Sequence, residues 1–191
     1  LLRGFGIAAR DRRRFLAADA AFRLSSDAAE AAGKARPPPP PPPPRWHWAM
    51  VNDAPRYAYF ARFLAAHAAG KSVLDAGAGA GLLSIAAARR GARRVVAVER
   101  DAALASICRA TLAANGCANV TVVRGDAREI SEVFDVVVAE VLDAALFGEG
   151  ILPLYAALRA RSPGAAVAPR RATLYALPVA CGALALRSAA D

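Results

Sequence analysis

The sequence predicts an α/β fold built on a doubly wound parallel sheet, and three observations predict it. Short valine-rich apolar runs recur at 73–74, 95–98, 120–123 and 136–138. Alanine-rich segments with helical spacing lie between several of them and stop at Gly70, Gly91 and Asn115-Gly116. A glycine-studded loop follows the first run, and acidic residues close later ones. Near-continuous apolar strands alternating with helices are what a parallel sheet covered on both faces requires.

In chain order, Asp53 caps a helix carrying Tyr57, Phe60, Phe63 and Leu64 that ends near Gly70. A strand at Ser72–Ala76 leads through the glycine loop into a helix with Leu82, Leu83 and Ile85, ending at Gly91. The next units are a strand at Arg94–Glu99, a helix from Asp101 to about Asn115 and a strand at Val120–Arg124. A fourth strand at Phe134–Ala139 and a helix over about 150–161 follow. After Pro163-Gly164, residues 166–179 read as two extended pieces split by Pro169, the start of a separate sheet.

Four segments result. Residues 1–36 form a poorly defined helical or disordered piece, with Phe5, Ile7, Phe15, Leu16, Phe22 and Leu24 scattered among alanines and arginines. Pro37–Pro44 is an unbroken proline run, and residues 37–45 act as a linker. Such a run adopts polyproline II, on the order of 25 Å at ~3.1 Å per residue, and reads as a stiff spacer rather than an SH3-type ligand. Residues 46–165 carry the main domain, and 166–191 the start of another sheet.

With 191 residues, the chain can bury one good core. Its 56% hydrophobic content is inflated by alanine. No apolar run reaches the ~18–20 residues of a membrane span, so no membrane partner is expected. Cys108, Cys117 and Cys181 are widely spaced and lack a partnering histidine pattern. Neither a metal site nor a disulfide framework fits, which points to a reducing compartment, cytoplasmic or nuclear. The net charge of +9 is almost all arginine, lysine occurring only at Lys34 and Lys71. The arginines are scattered without interleaved aromatics, which argues against nucleic acid as the partner. The first residue is Leu1 and the single methionine is Met50, as expected of a piece of a longer protein.

Chemistry concentrates at the strand ends. The stretch Asp75-Ala76-Gly77-Ala78-Gly79-Ala80-Gly81 has glycine at every second position of its loop. Glycine there lets the backbone turn sharply and lets a ligand approach the amides. A dinucleotide fingerprint would need glycine at position 82, where Leu82 stands, so nicotinamide binding is disfavoured. Glu99 closes the second strand, where an acidic side chain can accept from ribose hydroxyls. Glu140 and Glu149 follow the fourth strand, nine positions apart. Two carboxylates at the crevice suit a planar, forked guanidinium. Taken alone, the pair reads equally well as two solvated surface acids.

The glycine loop preceded by Asp75 resembles the first motif of class I S-adenosylmethionine-dependent methyltransferases, and Gly125-Asp126-Ala127 resembles their adenine-contacting segment. Adding Glu140, Glu149 and Met50-Val51-Asn52-Asp53-Ala54-Pro55-Arg56, residues 46–180 resemble the protein arginine methyltransferases. Trp46-His47-Trp48, residues 143–150 and residues 171–175 are most similar to the subgroup numbered seven and nine, nearer the ninth.

That resemblance implies S-adenosylmethionine as cofactor and an arginine-containing protein as substrate. It implies that Asp75 lies near the cofactor's amino-acid portion, with Gly77 and Gly79 making room for it. Arg56 would grip the cofactor carboxylate, Glu99 the ribose, and Asp126 beside Ala127 the adenine amine. Glu140 and Glu149 would be catalytic, fixing the guanidinium, with Glu149 helping to remove its proton; Met50 would line the substrate pocket. Asp143 is expected to shape the loop, and His47 either to join an acid-base network or to pack or cap. The chain departs from the pattern at Ala139, where many relatives have Ser or Thr, and shows prolines where paired tyrosines are usual. The family continues into a barrel with a histidine-tryptophan loop and a dimerisation arm, whereas this chain stops at Asp191. The expectation is therefore a cofactor fold without the arm that methylates poorly by itself, with monomethyl or symmetric dimethyl product. Two alternatives stand beside it: a cofactor-binding module without catalysis, and a class I methyltransferase acting on RNA or a small molecule.

Overall fold

The computed structural model describes residues 50–143, 146–175 and 180. The amino-terminal segment, the proline run, Trp46-His47-Trp48 and residues 181–191 lie outside the described residues.

Helix α1 (Ala54–His67) starts where sequence places it, because the Asp53 carboxylate accepts from the Arg56 amide at 3.0 Å. Pro55 sits in its first turn, where a missing N–H leaves no bond unmade. The sheet comprises β1 (Ser72–Ala76), β2 (Arg94–Glu99), β3 (Val120–Arg124), β4 (Val136–Val138) and β5 (Ala166–Ala168). Its order is β3-β2-β1-β4-β5, and every pairing is parallel. Helices α2 (Leu82–Arg89), α3 (Ala102–Ala114) and α4 (Ile151–Arg161), with a 3₁₀ turn at Ala127–Glu129, complete the connections.

The pleat sends alternate side chains to opposite faces. Val73, Val95, Val136 and Val138 pack with Phe60 and Leu64 of α1 and with Ala86 and Ala87 of α2. Leu74, Ala76, Val96, Val98 and Val137 pack with Leu154 and Leu158 of α4. Cys108 and Leu112 bring α3 against Ala97. All five residues of β1 are buried, as befits the central strand. Both faces being covered explains why these strands are apolar throughout rather than alternating.

Two expectations change. The fourth strand is shorter than 134–139: the ladder holds only Val136–Val138, though Phe134 and Ala139 are also buried. The separate sheet expected from Ala166 does not begin there. Residues Ala166–Ala168 pair in parallel with β4 and form the edge of the same sheet. Helix α4 returns the chain to the β4 edge, where the short side chains fit and Ala168 is fully buried. Pro169 and residues 170–175 have no regular structure, and 176–179 lie outside the described residues.

From β1 the chain moves one way to β2 and β3, and then returns to the other side for β4 and β5. The carboxyl ends of β1 and β4 therefore flank the switch point, where an open parallel sheet leaves a crevice.

Candidate active site at the switch point

The crevice holds a cleft of about 470 Å³, open to solvent, whose walls include Met50, Arg56, Asp75, Gly77, Gly79 and Glu140. Six residues that the sequence singled out thus converge from α1's start, the β1 loop and the end of β4. Their separation along the chain reaches 90 positions, between Met50 and Glu140.

The glycine loop is a backbone device. The amides of Gly77 and Ala78 both donate to the Val98 carbonyl at 2.9 Å, which folds the chain back over β2. Gly77 has φ +81°, a left-handed conformation that side chains disfavour. A Cβ there would also lie 2.6 Å from the Val141 side chain. The Val141 side chain, next to Glu140, thus packs directly against the Gly77 backbone. Gly77 therefore locks the glycine loop to the acidic loop, a coupling no local signal announces. Gly81, at φ +88°, likewise admits the Cys108 sulfur of α3, which would be 2.9 Å from a Cβ.

Asp75 is 1% exposed, and its Oδ2 accepts from the Ser84 hydroxyl at 2.6 Å. Its Oδ1 is buried and has no hydrogen-bond partner among the described residues. Burial pushes its carboxyl up to about 6; the Ser84 hydroxyl and amide hold it back, and the nearby Glu99 charge adds to the rise. Ser84 escaped the sequence reading, since a serine early in a helix is common. Glu99 is buried beneath the loop: Oε2 accepts from the Gly79 amide at 2.8 Å and Oε1 from the Asp101 amide at 2.7 Å. It thus sets the loop's position while each oxygen keeps a lone pair.

Glu140 has only 11% of its side chain exposed, and its Oε1 lies 2.9 Å from Arg56 Nη1. Burial raises its carboxyl to about 7, Arg56 opposes the rise, and the charges of Glu149, Asp53 and Asp75 add to it. The guanidinium of Arg56, expected at the cofactor's carboxylate, pairs with Glu140 in this structure. Glu149 is exposed, and the cleft does not include it, but its charge is felt at Glu140. Part of the loop between them is shaped by Asp143, whose carboxylate occupies the space a side chain at Gly148 would need. Leu146 adopts φ +75° on the same loop. Ala144 and Ala145 lie outside the described residues.

Asp126 and Ala127 stand at the end of β3, outside the cleft walls. Asp126 caps the 3₁₀ turn by accepting from the Arg128 amide at 2.8 Å, and Arg128 Nη2 reaches it at 2.5 Å. These bonds pull its carboxyl down to about 2. Among the described residues, no group of three His, Cys, Asp or Glu side chains is placed to hold a metal ion. No described helix is long and apolar enough to cross a membrane.

The sheet order, the glycine loop and the buried acids are those of class I S-adenosylmethionine-dependent methyltransferases, and comparison with known proteins agrees. The family model for ribosomal protein L11 methyltransferase (PrmA) matches residues 62–152. An arginine N(omega)-methyltransferase of Streptomyces achromogenes is 42% identical over 117 residues, 57% of this chain and 32% of that protein. Over this stretch the chain is similar in sequence to arginine methyltransferases. A probable protein arginine N-methyltransferase 6 of Arabidopsis thaliana is 33% identical over 141 residues, 70% of this chain and 32% of that one. Among solved structures, the Trypanosoma brucei PRMT1 enzyme-prozyme complex with AdoHcy superimposes with a TM-score of 0.60 at 27% identity. That match covers 64% of this chain and 41% of the other. The chain spans about a third of the length of these two curated relatives (32% each).

Proposed function

We propose that this chain carries the S-adenosylmethionine-dependent methylation of arginine guanidinium nitrogens in proteins, to monomethyl or symmetric dimethyl product. The observation that supports this most directly is a guanidinium already held by Glu140, 2.9 Å from its oxygen, at the wall of a glycine-looped crevice. A site that stabilises one guanidinium against a nearly buried carboxylate has the chemistry to hold another.

The residues present fit the cofactor. Arg56 is the one cation among the described residues walling the cleft, so it suits a carboxylate. Asp75 Oδ1 offers a buried acceptor for an ammonium, and Glu99 retains lone pairs for ribose hydroxyls. Asp126 with Ala127, one strand further, suits the adenine. When bound, S-adenosylmethionine supplies a sulfonium methyl. The protein's part is positioning and charge. Glu140 fixes the guanidinium and concentrates electron density on the nitrogen facing the methyl, while Met50 walls the pocket. Glu149 would take up the proton that the guanidinium gives up on methylation, because free arginine is too basic to lose it beforehand. A location in the cytoplasm or nucleus, and a place beside the subgroup numbered seven and nine, belong to the same proposal; the loop at 143–150 supports the latter.

A second reading has a specific observation behind it: the Streptomyces relative is named for arginine itself rather than for protein arginine. Labelled S-adenosylmethionine offered with an arginine peptide, its lysine twin and free arginine separates the readings. Label in the peptide arginine supports the first, and label in free arginine alone supports the second. Equal labelling of the lysine twin, or no cofactor binding by calorimetry, would sink both.

A further inference from the structure

Arg56 is held at two points. Its amide donates to Asp53 Oδ1 at 3.0 Å and its Nε lies 3.6 Å from Asp53 Oδ2, so the base of the side chain is anchored to the helix cap. Its outer nitrogen, Nη1, reaches across the crevice to Glu140 at 2.9 Å. The outer end can therefore change partner while the base stays in place. About a third of the side chain is exposed (36%), which leaves room for that movement.

If Glu140 is the group that receives the substrate guanidinium, two guanidinium groups compete for one carboxylate. The cofactor's carboxylate needs a cation, and Arg56 is the one among the described residues walling the cleft. We propose that Arg56 is a positioning residue that couples the two ligands: it occupies Glu140 as an internal counterpart of the substrate until the cofactor's carboxylate draws it away. This rests on the reading of Glu140 as a guanidinium site. Linkage then makes the effect reciprocal, so cofactor tightens substrate binding by the same factor as substrate tightens cofactor. The fork of the guanidinium matters: lysine keeps the charge but is a single point donor.

Methylguanidinium is the probe, since it needs only the carboxylate and no peptide groove. Its dissociation constant is measured by calorimetry on the whole chain at pH 8.5, with and without saturating S-adenosylhomocysteine. Glu140, whose carboxyl lies at about 7, is then ionised. The wild type is expected to bind the probe at least tenfold more tightly when S-adenosylhomocysteine is present. Arg56→Gln should bind it more tightly than wild type in the absence of S-adenosylhomocysteine, and with little further gain on its addition. Arg56→Lys should keep an intermediate coupling. A wild-type affinity indifferent to S-adenosylhomocysteine, or full coupling surviving in Arg56→Gln, overturns the proposal while leaving the guanidinium site intact. An Arg56→Gln chain that has lost S-adenosylhomocysteine binding is still decisive: probe affinity no better than wild type counts against the competition. Failure of the probe to bind any form, while S-adenosylhomocysteine binds the wild type, removes the guanidinium site itself and this inference with it.

Discussion

Two carboxylates beyond the carboxyl ends of the strands each meet an arginine, and their acidities move in opposite directions. Asp126 pairs with Arg128 on the exposed end of β3 and is pulled down to about 2. Glu140 pairs with Arg56 at the end of β4 and is nonetheless raised to about 7. The difference is burial: removing water from Glu140 costs more than one partly exposed guanidinium returns, with neighbouring acids adding to the deficit. Asp126 is a satisfied cap. Glu140 is a carboxylate that further positive charge would stabilise, which is the condition a binding site for a cation needs.

Breaking the Glu140 side should have the largest effect. Glu140→Gln keeps the shape and removes the charge, and methyl transfer to an arginine peptide is expected to fall by about 10²–10³-fold or more. Calorimetry should show S-adenosylmethionine still bound; loss of that binding would reassign Glu140 to the cofactor. Gly77→Ala comes next, because the new methyl meets Val141 at 2.6 Å in a left-handed backbone. Relief requires the acidic loop to shift, with a stability cost of ~1–3 kcal/mol. Urea titration should record that cost, and Gly77→Ala,Val141→Ala should recover part of it; no recovery would break the inferred lock.

The comparison also predicts a pH dependence. Folding raises Glu140 from 4.5 to about 7 and Asp75 from 3.8 to about 6. Between each pair of values the folded chain binds the extra proton, so stability falls as pH rises through these windows and levels off above about 7. Thermal unfolding across pH 4–8 measures this, and Glu140→Gln should flatten the upper part. The kcat/KM for peptide should rise over the upper part of the same range as Glu140 ionises. An activity that declines instead would mean the neutral acid is the working form. The smallest effect belongs to Asp126→Asn. If Asp126 contributes one hydrogen bond to adenine, of ~1 kcal/mol, cofactor affinity drops roughly fivefold. No change would confine Asp126 to capping.

Much of the fold was legible because its signals are local. Asp53 before Pro55, and Asp101 before an alanine-rich helix, mark helix starts by hydrogen bonds made within three residues. The valine runs mark buried strands for the same reason. Strand β5 was legible as extended chain but not as a partner of β4. Alanine and valine at 166–168 are compatible with any buried edge, and only the path of α4 selects which edge. The site followed the same division. Glycine spacing and strand-end acids named the crevice. The ribose assignment of Glu99 did not reveal that its carboxylate holds the Gly79 and Asp101 amides.

What the sequence determined by itself is the set of elements and the chemical types at their ends, since propensity, capping and turn conformation act over a few residues. What the tertiary structure decided is which of those groups meet. Arg56 and Glu140 are 84 positions apart, and Gly77 and Val141 are 64 apart. Their contacts follow from parallel strand order, which places β4 beside β1 although β2 and β3 intervene in the chain. Burial is likewise a property of the assembled layers. It separates two similar arginine–carboxylate pairs into a carboxylate held down at Asp126 and a largely buried carboxyl pushed up at Glu140.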